Sequence, residues 1–121
     1  MTSVIAVLGA AAFLIFGLWP FFGPQSFYDQ LAEFPPYNAH FLHDIGAFQV
    51  GIGVSLVLAM WRRRDALLAA LGGAGAASAL HAVAHVRDHG LGGKDSDPYV
   101  FAFLAVLLLG AALMKLRAPE A

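Results

Sequence analysis

Long apolar runs alternate with short polar interruptions along this chain, and that rhythm predicts its elements. The hydrocarbon core of a bilayer asks for about 20 mostly apolar helical residues, with roughly 17 to 25 tolerated. Four stretches meet that requirement: 4–19, 41–61, 66–86 and 99–116. Backbone groups in lipid must be satisfied internally, and four segments are too few to close a barrel, so each run reads as a helix. The expected fold is all-α, a single domain over residues 1–121 built as an integral membrane four-helix bundle.

The interruptions carry boundary signals. Pro20 is expected to stop the first span. Pro35-Pro36 followed by Asn38 ends a loop and offers an N-cap to the second. Asp97-Pro98 sets a cap residue and then an N1 proline before the fourth. Trp19, Tyr37, Trp61 and Tyr99 all fall at span ends, where amphipathic rings favour the interface. Between spans one and two, "SFYDQLAEF" puts Phe27, Leu31 and Phe34 at helical spacing, with Asp29, Gln30 and Glu33 between them. That pattern predicts a short amphipathic helix in the outer interface, a loop packed on the bundle mouth being the alternative.

Basic residues orient the spans. Arg62, Arg63 and Arg64 occupy the tight turn between spans two and three, and Lys115 and Arg117 follow span four. Positive residues near span ends stay cytoplasmic, so both termini are expected inside and the two longer connections outside. The expected location is the bacterial inner membrane, crossed several times.

Composition narrows the chemistry. Hydrophobic residues make up 60% of the 121 positions and charged residues 12%, a balance suited to a lipid environment. A formal net charge of −1 offers no basic field for nucleic acid. There is no cysteine, so disulfides, thiolate metal sites and cysteine nucleophiles are all excluded. The first apolar run lacks a basic n-region and carries its small residues internally, so it reads as a retained span.

Five histidines remain, and orientation gathers all of them at the outer face. His40, His43 and Asp44 open span two; His81, His85, Asp88 and His89 close span three, in "HAVAHVRDH". At 100° per residue, Ala74, Ala77, Ser78, His81, His85 and Asp88 form one stripe with His89 on its edge. On span two His40, Asp44, Ala47 and Gly51 form another, with His43 set to one side. Antiparallel pairing puts His40 level with Asp88 or His89, Asp44 near His85, and His81 one turn deeper. Ionisable groups inside a span are rare and usually functional. Neutral imidazoles with a carboxylate suit zinc, copper or iron, so the candidate metal ligands are His40, Asp44, His81, His85 and His89. His43 and Asp88 rank behind them. For each residue there is also a plain structural role, as an interhelical hydrogen bond or a solvated rim group.

At "PPYNAHFLHDIGAFQVGIG" the chain resembles small four-span membrane proteins of actinobacterial type, loosely DoxX-like in size and hydropathy. The resemblance implies the four-span plan and no catalytic residue.

Four functions compete at this level. The first is a membrane protein binding a transition metal at its outer face. The second is a b-type haem protein with axial ligands from His40 or His43 and His85 or His89, and Arg87 near a propionate. The third is an accessory or scaffold subunit of a larger membrane complex or homo-oligomer, with Gly72, Gly73 and Gly75 as a partner-facing patch. The fourth is a lipid or isoprenoid enzyme using histidine acid–base chemistry. The lipid bilayer is the one partner common to all four.

Overall fold

A computed structural model describes residues 2–32, 35–62 and 65–117. Glu33 and Phe34 of the expected interfacial helix, and Arg63 and Arg64 of the basic turn, lie outside the described residues. Among the described residues there are five helices and no strand: α1 Thr2–Phe22, α2 Pro24–Gln30, α3 Ala39–Trp61, α4 Ala66–Arg87 and α5 Asp97–Arg117. By length and composition α3, α4 and α5 can each cross a membrane. The first helix meets that measure when taken together with α2, which is bent 115° from it.

Boundary chemistry explains most helix ends. The Asn38 side chain accepts the Phe41 N–H at 3.3 Å, and Asp65 accepts the Leu68 N–H at 3.0 Å, capping α3 and α4. Pro20 does not stop α1, contrary to expectation; the helix runs two residues further. A proline in the last turn removes only one helical hydrogen bond, and the buried Pro20 ring is held in the interior beside Phe21. The turn comes instead at Gly23, with Pro24 opening α2. That helix is shorter than the apolar spacing predicted and leaves Leu31 exposed beyond its end. Phe27 folds back to meet Trp19 edge-on at 5.3 Å, and Trp19 Nε1 donates to Ser26 Oγ at 3.3 Å.

The long helices pack in chain order as an open row, α1 on α3, α3 on α4, α4 on α5; among the described residues α1 and α5 do not pack against each other. Each seam is built on glycine, because without a hydrophobic force between helices in lipid, association rests on close backbone approach. A Cβ on Gly46 would stand 2.6 Å from Gly17 O, across the α1–α3 seam. One on Gly51 would stand 2.6 Å from Ala77 Cβ, and one on Gly73 2.5 Å from Gly51 O, across α3–α4. One on Gly75 would stand 2.7 Å from Leu109 Cδ2, across α4–α5. Gly72, Gly73 and Gly75 are therefore buried inside the row and offer no patch to a partner. Ala74, expected in the inner stripe, is exposed.

The two ends of the row differ. At one end Arg62 Nη2 donates to Leu116 O at 3.2 Å and Lys115 Nζ lies 3.5 Å from Asp65 Oδ2, tying the α3–α4 turn to the end of α5. At the other, a small core of Phe21, Ala47 and Ala84 with Leu80 packed on it joins α1, α3 and α4. The histidines sit above that core.

Candidate metal centre

Helix α3 brings His40, His43 and Asp44 to this end, α4 brings His81, His85 and Asp88, and α5 begins there with Asp97. Asp88 is the C-cap residue of α4, with its backbone N–H bonded to Ala84 O. Its side chain turns inward and is 6% exposed. One oxygen, Oδ2, meets both His43 Nδ1 at 2.5 Å and His40 Nδ1 at 3.2 Å.

A carboxylate on Nδ1 fixes the tautomer. Each imidazole donates Nδ1–H to Asp88 and is left with a bare Nε2. For His40 that bare nitrogen lies 3.4 Å from Asp44 Oδ2. Two acceptors facing each other need a proton or a cation between them.

The deeper half of the cluster repeats the problem. His81 Nε2 lies 3.1 Å from His85 Nε2 and 3.2 Å from Asp44 Oδ1. It can give a proton to only one of them. Alignment favours His85, so Asp44 Oδ1, although close, is buried with no hydrogen bond. An ionised oxygen left that way in a low-dielectric setting costs about 1–3 kcal/mol or more. His43 Nε2 is a second buried atom with no partner.

The rings themselves are closely packed, some edge-on and some stacked. His40 and His85 lie 4.6 Å apart between centroids, and His81 stacks on Phe101 of α5 at 3.9 Å, with Phe48 of α3 on its other side at 5.5 Å.

His40, Asp44 and His85 each present one ligand atom, and the three atoms lie within 4.8 Å of one another. Donors around a tetrahedral zinc at 2.0–2.1 Å stand about 3.4 Å apart. The spacing between His40 Nε2 and Asp44 Oδ2 already has that value. Two imidazoles and the Asp44 carboxylate, one of whose oxygens is orphaned, form a donor set that zinc, copper and iron accept, and a cation here would remove the acceptor–acceptor conflict.

Of the residues the sequence singled out, His40, Asp44, His81 and His85 are thus brought together, with His40 level with Asp88 as pairing predicts. His43 departs from expectation. Set to one side of the inner stripe and ranked behind the other ligands, it is nevertheless 3% exposed and leans on the Phe21 ring at 5.5 Å. The reason is the row: α3 has neighbours on two sides, so a residue turned away from α4 still meets α1. His89 is not in the cluster; it is 73% exposed and 3.4 Å from Asp95. Helix α4 ends at Arg87, so the helical angle that placed His89 on the stripe no longer applies. Arg87 reaches α1, where Nη1 donates to Phe21 O at 3.4 Å and the guanidinium lies over the Phe21 ring, a cation at a helix C-terminus.

Three contributors escaped the sequence reading: Phe101, Asp97 and the Gly92-Gly93 pair. Asp97 carried a signal, since the Asp97-Pro98 pair opens a helix at the same end as the histidines. The Phe101 position did not.

No protein-family model, curated protein or solved structure matches this chain.

Proposed function

We propose that this chain is a multi-pass protein of the bacterial inner membrane that binds a transition metal ion, zinc, copper or iron, at its outer face. Its spans are α1 with α2 at the interface, α3, α4 and α5, and both termini are cytoplasmic. His40, Asp44 and His85 are the ligands, with His81 next in line. The observation that carries this reading is the convergence of His40, Asp44 and His85 donor atoms within 4.8 Å, beside a buried Asp44 oxygen without a hydrogen bond. Ionisable groups held in a span at this density are rare without a function. The contact between the His40 and His85 rings speaks against a haem held between that pair, since the macrocycle has to pass between its axial ligands.

The test is elemental analysis of protein purified in mild detergent, without chelator or a polyhistidine tag. Stoichiometric metal is expected in the wild type, and background metal in a His40→Ala, His85→Ala double variant of equal helicity. Background metal in the wild type after incubation with zinc, copper and iron salts overturns the reading. The His–Asp contacts would then be fasteners between helices of an accessory subunit.

A further inference from the structure

We infer that Asp97, held in place by the Gly92-Gly93 turn, is the positioning residue that makes His85 Nε2 a metal ligand. The inference rests on the metal-binding reading above.

The connection from α4 to α5 runs back over the two ligand histidines. The Gly92 backbone lies against His40: a Cβ there would stand 3.3 Å from His40 Cδ2. Gly93 lies against His85, where a Cβ would stand 2.6 Å from Nδ1 and 3.0 Å from Asp97 Oδ2. Its φ of +88° is in the left-handed region that side chains disfavour. Gly93 therefore fills the narrow space between the ring and the carboxylate, and both its conformation and its size admit only glycine. Gly90, in the same connection, has nothing within 4 Å of its Cβ position.

Asp97 Oδ2 accepts the Lys94 N–H at 2.7 Å, which closes the turn, and lies 4.0 Å from His85 Nδ1. A negative charge on the Nδ1 side favours the tautomer with the proton on Nδ1, leaving Nε2 bare towards His81 and the ligand group. His40 has a tighter counterpart, its Nδ1 hydrogen-bonded to Asp88 Oδ2 at 3.2 Å, whereas Asp97 acts on His85 through its charge at 4.0 Å. Each ligand histidine thus has its own carboxylate behind it, one supplied by the end of α4 and one by the start of α5. Metal-bound histidines characteristically hand their other ring N–H to such a group, and losing it costs about 10–100-fold in metal affinity.

The substitution Asp97→Asn separates this role from loop structure, because the amide oxygen still accepts the Lys94 N–H while the charge behind His85 is lost. Cobalt(II) serves as the probe, added to full-length protein in detergent, with affinity taken from the titration and ligand geometry from the visible absorption of the saturated site. Asp97→Asn is expected to weaken cobalt binding about 10–100-fold and to change the visible spectrum, with thermal unfolding of the metal-free protein unchanged. Gly93→Ala is expected to weaken cobalt binding as well, by displacing the His85 ring, but with a lower unfolding temperature because its backbone and space admit only glycine, and Gly90→Ala to behave as wild type. Wild-type affinity and spectrum in Asp97→Asn overturn the inference and leave the metal site standing. A wild-type protein that takes up no cobalt, zinc, copper or iron overturns both.

Discussion

Asp88 shows how one side chain decides what its neighbours can do. By taking Nδ1–H from His40 and His43 together, it satisfies one nitrogen of each ring and orients two Nε2 lone pairs. Replacing it with alanine strips two buried rings of their acceptor. We expect Asp88→Ala to lower stability by about 1–3 kcal/mol, read by thermal unfolding in detergent, and to weaken metal binding at His40 in a direct titration. His89→Ala is the matched comparison. That residue is exposed and pairs only with a solvated Asp95, so neither quantity is expected to move.

The helices meet through glycine, and the seams respond to volume before they respond to polarity. Gly51 and Gly73 face each other about two turns from the ligands on the same two helices, so a side chain at either forces those helices apart. Gly51→Ala is expected to destabilise the protein by about 1–3 kcal/mol through overpacking. It should also weaken metal binding, because His40 and Asp44 ride on the displaced helix. Gly110, with nothing within 4 Å of its Cβ position, is the control. Gly110→Ala is expected to be neutral or mildly stabilising, since alanine is the better helix former by about 1 kcal/mol. Unfolding of both variants side by side checks the pair. The seams were partly legible: small residues recur along the inner stripes of spans two and three, and that much follows from helical periodicity. The third seam, Gly75 on Leu109, lies on another face of α4, and no stripe pointed to it.

For the molecule as a whole, the two ends of the row have opposite characters. One carries Arg62, Lys115 and Arg117, while the other carries the histidines and most of the carboxylates. The absence of cysteine makes the proposed orientation directly testable, since any introduced thiol is unique. In intact cells, Gln25→Cys and Lys94→Cys are expected to react with a membrane-impermeant maleimide. Arg117→Cys is expected to react only after permeabilisation. The reverse pattern would put the histidines on the cytoplasmic side.

By itself, the sequence determined the helices, their approximate limits, and the gathering of histidines at one end. Those features depend on local things: run length against bilayer thickness, the cap at Asn38, and the alternation of direction in consecutive spans. It also placed His40 level with Asp88, because a short turn fixes the register of antiparallel neighbours. Which atoms face one another came from how the helices pack. A helical angle says which residues share a stripe, and not how many neighbours the helix has. With α1 on one flank of α3 and α4 on the other, His43 was drawn inward. Past Arg87 the backbone leaves the helix and periodicity stops, so His89 fell into solvent while Asp97, on the far side of a glycine turn, came up behind His85. That last contact depends on the path of a loop, which no repeat along the chain encodes.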